Sequence, residues 1–63
     1  MFITLELAPL NKRAQVVPTT INVDHIVQYY PNSSSSTIII IRDGAYYCAE
    51  SEQEIWRKIQ DAR

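Results

Sequence analysis

Four consecutive isoleucines, Ile38 to Ile41, followed at once by Arg42-Asp43-Gly44 and then Ala45-Tyr46-Tyr47-Cys48, constrain this chain more than any other feature. So much β-branching is poorly suited to helix and well suited to strand. Asp-Gly between two apolar runs is the short-range signature of a two-residue type I′ hairpin turn. A turn centred there sets Arg42 opposite Ala45, Ile41 opposite Tyr46, Ile40 opposite Tyr47 and Ile39 opposite Cys48. Ile39, Ile41, Tyr46 and Cys48 then share one face, and Ile38, Ile40, Tyr47 and Ala49 the other. Both faces are apolar, whereas a solvent-backed antiparallel sheet turns one polar face to water. The hairpin therefore needs cover on two sides.

The next segment supplies one cover. Ser51-Glu52-Gln53-Glu54 reads as a capping box, with Ser51 as N-cap and Glu54 reaching back to its amide. Glu52 and Glu54 lie where the helix dipole favours negative charge. Ile55, Ile59 and Ala62 form one apolar stripe with Trp56 beside it, which predicts a helix near 52–62. Glu54 and Lys58 are spaced for an i,i+4 ion pair.

Upstream, the alternation of Ile3, Leu5 and Leu7 with Phe2, Thr4 and Glu6 predicts a strand near 2–7. Pro9 and Asn11 interrupt it. A returning strand near 13–17 ends at Pro18, a bend runs through Ile21 to Asp24, and a third strand lies near 26–30 with Pro31 after it. Asn32 and Ser33 to Ser36 read as a flexible hairpin loop, with strands near 37–42 and 45–49 following. The expected class is α+β or mostly β: a small antiparallel sheet of four or five strands with one C-terminal helix, closure into a small barrel being the alternative. Residues 1–63 form a single domain.

With 63 residues and one cysteine, no second core and no intrachain disulfide can be formed. A monomer of this size buries only roughly 60% of the surface its extended chain exposes. Stability must be supplemented by good packing, a partner or self-association. Six Lys and Arg against seven Asp and Glu give a formal charge of −1, so no overall field attracts a polyanion. The amino terminus carries Glu6 and no basic stretch before its apolar run, a poor secretion signal, and no apolar run approaches a membrane span. A cytoplasmic location is expected.

Chemistry has little to work with. His25 and Cys48 are the single histidine and cysteine, too few for a zinc site. Asp24 and His25 are adjacent, which on a strand sends their side chains to opposite faces. Cys48 fits a core position facing Ile39. The serine run lacks the glycines and lysine of a phosphate loop. No catalytic residue, metal or cofactor is expected.

The sequence therefore predicts a protein-interaction module that self-associates or binds another protein, with Ile38, Ile40, Tyr47 and Tyr29 as interface residues. The competing reading is a small nucleic-acid-binding β module, with Tyr29 stacking bases and Lys12, Arg13 and Arg42 meeting phosphates.

Along most of its length the chain resembles the small flagellar FlbD family, SwrD-like proteins included. The resemblance is carried by Met1-Phe2-Ile3-Thr4-Leu5, Ile21-Asn22-Val23-Asp24-His25-Ile26, Thr37 to Gly44 followed by Tyr46-Tyr47, and Glu50-Ser51 with Glu54-Ile55 and Ile59. Where that family has Asn-Gly in its first turn, Asn11 here precedes Lys12, and four serines separate Asn32 from Thr37. The resemblance implies an uncharacterised accessory role in flagellar motility and brings no catalytic residues with it.

Overall fold

A computed structural model describes residues Met1–Arg63. Its elements are β1 (Phe2–Pro9), β2 (Val17–Asn22), a 3-10 turn (Val23–His25), β3 (Ile26–Pro31), β4 (Thr37–Ile41), β5 (Gly44–Cys48) and α1 (Glu52–Ala62). The strands form one antiparallel sheet in the order β2-β1-β5-β4-β3. The chain is thus a small α+β domain, with an open sheet whose edges are β2 and β3.

Those two edges are nevertheless joined by the 3-10 turn alone. In a flat sheet they would lie four strand spacings apart, about 19 Å, and four residues reach at most about 14 Å. The sheet must therefore coil strongly, and the turn crosses the end of the coil with Val23 buried beneath it. Asn22 holds the turn by accepting from the Asp24 amide at 3.0 Å. Ile3, Leu5, Leu7, Ile21, Val23, Ile39 and Cys48 line the inside of the coil, and Ile55 and Ile59 of α1 close it. The accessible surface of 4064 Å² matches the about 4,200 Å² expected of a compact monomer of this mass.

The structure departs from the sequence reading in its first two strands, in one hairpin register and in one ion pair. The second strand is Val17–Asn22, beginning where the predicted 13–17 strand ended; Arg13 lies in the loop before it. Val17, Thr19 and Ile21 pair with Leu7, Leu5 and Ile3; Ile21 reaches the core and Thr19 is half-buried, while Val17 at the strand's start stays exposed. Pro18 does not stop the strand because β2 is an edge, where a missing N–H costs no ladder bond. The first strand likewise continues through Ala8 and Pro9 to pair with Tyr47 and Tyr46.

The β4–β5 register also differs. Ile41 lies opposite Gly44, Ile40 opposite Ala45, Ile39 opposite Tyr46 and Ile38 opposite Tyr47. Arg42 and Asp43 make the turn, and the Arg42 amide donates to the His25 carbonyl at 3.1 Å instead of pairing with Ala45. A type I′ turn over Asp43-Gly44 needs positive φ at both residues; only Gly44 has it, at 152°. The slip is two residues, so every side chain keeps its predicted face. The helix covers the face of Ile39, Ile41, Tyr46 and Cys48.

The third difference concerns Lys58. Glu54 is committed to the capping box, accepting from the Ser51 amide at 3.2 Å while Ser51 Oγ accepts from the Glu54 amide at 3.2 Å. Lys58 instead pairs with Glu50. The serine loop, read as flexible, is closed by its own bonds, Asn32 Nδ2 donating to Ser36 Oγ at 3.1 Å and Ser33 Oγ lying 2.7 Å from it.

The Glu50–Lys58 pair has a definite task. β5 pairs with β1 only at Leu7, Ala8 and Pro9, while β1 begins at Phe2. The earlier backbone groups on that flank of β1 therefore lack a strand. The Ala49 amide reaches the Glu6 carbonyl at 2.9 Å, Glu50 Oε1 accepts from the Glu6 amide at 2.9 Å, and Lys58 Nζ donates to the Thr4 carbonyl at 2.8 Å. An ion pair so completes the ladder. Thr37 Oγ1 donates to the Glu50 carbonyl at 2.7 Å, fixing the segment where it leaves the sheet.

Two substitutions test this framework by chemical denaturation. Glu50→Ala, which leaves the Glu6 amide unpartnered, is expected to cost about 2–3 kcal/mol, and Lys58→Met, at a more exposed position, about 1–2 kcal/mol; a loss under about 0.5 kcal/mol for Glu50→Ala would show the strand end to be hydrated rather than capped. Gly44→Ala meets no close atom, the nearest being Tyr46 Cε2 at 3.9 Å, so its expected cost of about 1–3 kcal/mol comes from positive φ alone. An unchanged midpoint would mean that the turn relaxes.

Candidate protein-binding edge

The seven residues singled out from sequence do not form one surface. Ile38 is 5% exposed and cannot serve as an outer contact without unfolding its surroundings. Ile40 and Tyr47 lie on the same face and are half-buried. Arg13 stacks over the Tyr47 ring at 5.4 Å to the centroid, with its Nε donating to the Leu10 carbonyl at 3.3 Å. The loop before β2 therefore gives this face part of the cover that its apolar character requires. Tyr29 points the other way, packed against the core beside α1.

The proposed nucleic-acid contacts are divided by the same geometry. Lys12, Arg13 and Arg42 belong to loops at one end of the sheet, since the end of β1 meets the start of β5. Tyr29 lies on the opposite face from Tyr47 and Arg13. Stacking on Tyr29 is thus separated by the sheet from the Arg13 cation.

Apart from Met1, Phe2, Leu10 and Val17, the exposed large apolar side chains lie on β3 and the neighbouring helix. Val27 is 65% exposed, Trp56 57% and Tyr30 46%. Val27 sits at the irregularity between Ile26 and Gln28, which turns it outward toward the helix. A groove runs between the strand and α1, floored by Ile26, Tyr29 and Ile59 and walled by Val27 and Trp56. It continues toward the start of the helix, where Glu52, Gln53 and Arg57 border Tyr29 and Trp56. Gln60 and Arg63 border the other end.

The backbone beside this groove is also available. Because Ala49 and Glu6 are hydrogen-bonded, alternation across the antiparallel ladders makes Tyr46 and Cys48 bond toward β4, and Ile38 and Ile40 toward β3. Tyr30 and Gln28 answer those two residues. The amide and carbonyl of Tyr29 therefore point away from the sheet. No charged residue lies in Ile26–Pro31, and charge is the usual guard on a free edge. The other edge is blunter. Glu6 directs its backbone toward Ala49 and Glu50, so its partner Pro18 faces outward and offers no donor there.

A second groove lies between β2 and the β4–β5 turn, with Leu7, Ile21, Ile41 and Tyr46 inside and His25, Arg42 and Asp43 at its rim. Tyr46 Oη donates to Asp43 Oδ1 at 3.3 Å, and the Asp43 charge holds the phenol above its ordinary value. No three His, Cys, Asp or Glu side chains converge on a common point, and every buried side-chain nitrogen and oxygen has a partner.

Cys48 is fully buried and donates to Glu50 Oε1 at 3.9 Å. Burial first, with the neighbouring Glu50 charge opposing ionisation, pushes its thiol up to about 11. Sequence reasoning placed Cys48 in the core but missed Glu50, whose position between a strand and a capped helix looks solvent-facing. Val27 was missed too, because a strand irregularity leaves no mark in the hydrophobic pattern.

No family model, curated protein or solved structure matches the chain.

The thiol gives a pH prediction. Its folded value lies above the ordinary 9.0, so the protonated form is favoured in the fold; that contribution is whole below about pH 9 and is lost as pH rises toward 11. Denaturation midpoints measured across this interval should fall more steeply for the wild type than for Cys48→Ala. Parallel slopes would mean that the thiol ionises as easily in the fold as in the unfolded chain.

Proposed function

We propose that this chain is a non-enzymatic accessory module of the cytoplasm that works by binding protein along its β3 edge. The observation that carries this reading is the coincidence, on one uncharged strand edge, of outward backbone groups at Tyr29 with exposed Val27 and Trp56. Such an edge offers main-chain hydrogen bonds for affinity and a side-chain groove for selectivity, the two components of recognition by strand addition. Trp56 is suited to the centre of the contact, since a large amphipathic ring contributes much area at little conformational cost. Tyr29 remains an interface residue in this reading, from the floor of the groove. Tyr47 becomes a packing partner of Arg13, and Ile40 lies half-buried on the same face.

The resemblance to the FlbD family gives the work a setting, flagellar motility. The free thiol of Cys48 suits a reducing compartment. No helix is long and apolar enough to cross a membrane.

The test deletes the gene in its own flagellated host, where loss of swimming is expected, and complements the deletion with variants. Val27→Lys and Trp56→Ala, at exposed positions, are expected to change stability by under about 0.5 kcal/mol and to abolish complementation, whereas Ala45→Lys on the opposite face complements. Normal swimming of the deletion strain would remove the flagellar setting. Full complementation by Val27→Lys and Trp56→Ala would remove the β3 edge as the binding surface.

A further inference from the structure

Resting on the reading of β3 as a protein-binding edge, we infer that its occupant is a second copy of this chain, paired antiparallel through β3 about a twofold axis. The charges along the groove select this occupant. The flank of α1 that overlooks β3 carries Glu52 in its first turn, Trp56 in the middle, and Gln60 and Arg63 at its end. These positions fall on one stripe because they recur at three- and four-residue spacing. The stripe begins with acidic Glu52, is apolar in the centre and ends with basic Arg63, while Arg57 flanks Trp56 on the side of Glu52.

A twofold axis reverses such a stripe against itself. Glu52 of each copy then meets Arg63 of the other, and the two Trp56 rings meet near the axis. An isologous contact requires this self-complementarity. A stripe with one charge throughout would repel its own copy.

The sheet edges select the same arrangement. Tyr29 presents both a donor and an acceptor at the edge, so two antiparallel copies of β3 can exchange bonds reciprocally. Pro31 also faces outward and lacks a donor, but it ends β3, so the Tyr29 pair is left intact; pairing β3 of one copy to β2 of another would add Pro18, which removes a donor inside β2. Such head-to-tail contact would also propagate into rings or fibres rather than stop at two. The monomer already buries the surface expected of a compact chain, so association adds to a formed fold rather than completing it.

The full chain is measured by sedimentation velocity over a dilution series. A reversible monomer–dimer equilibrium is expected. Glu52→Arg and Arg63→Glu each set like charges together at two symmetric places and should weaken dimerisation about tenfold, while the double variant should recover the wild-type constant to within about threefold. Val27→Lys, which does not touch the helix cap, should give monomer with unchanged circular dichroism. A wild type that stays monomeric at every concentration overturns the inference. So do assemblies larger than a dimer, or a dimer indifferent to both reversals and to Val27→Lys. If the wild type is monomeric but Val27→Lys still abolishes complementation, the second copy is excluded and the edge belongs to a different protein. If neither property responds to Val27→Lys, the edge reading fails as well.

Discussion

The structure depends on how β1 is satisfied where β5 leaves it. A strand in the middle of a sheet must bond on both flanks, yet β5 accompanies β1 only from Leu7 to Pro9. Beyond that point the chain turns away to begin α1. Glu50 and Lys58 fill the opening, one accepting from the Glu6 amide and the other donating to the Thr4 carbonyl. The carboxylate comes from the connection and the ammonium from the helix, so the pair also fixes where α1 crosses the sheet. Burial makes this arrangement demanding, because a carboxylate removed from water needs its partners in place. It has three: Lys58, the Glu6 amide and the Cys48 thiol.

That stagger and the coil of the sheet are two sides of one constraint. A three-residue turn between the outermost strands forces them together, and strands offset along their length allow the sheet to coil as it must. The helix then closes one end of the coil over Ile39 and Leu5. Its Trp56 flank is left beside β3, an edge that the turn approaches but no strand covers. Core closure and an available edge are therefore consequences of the same topology.

Much of this was legible in the sequence because local chemistry and fold agree there. The capping box placed α1, and period-two alternation placed the core face of β1. The parity of the β4–β5 hairpin survived an incorrect register because the slip was two residues. Pro18 misled because proline ends central strands, and only the sheet order reveals that β2 is an edge. Glu50 and Lys58 were illegible for a different reason. Their pairing depends on where β5 stops, a property of long-range registration. The edge residues Val27 and Trp56 share that difficulty, since an apolar side chain has the same sequence signature whether it faces core or water.

Hydrogen exchange at two backbone amides distinguishes a strand flank sealed by an ion pair from one left open for pairing. The Glu6 amide should exchange only with global unfolding, and the Tyr29 amide should exchange rapidly in dilute protein but become protected as concentration rises. Fast exchange at Glu6, or protection of Tyr29 that does not vary with dilution, would contradict this picture of the two flanks.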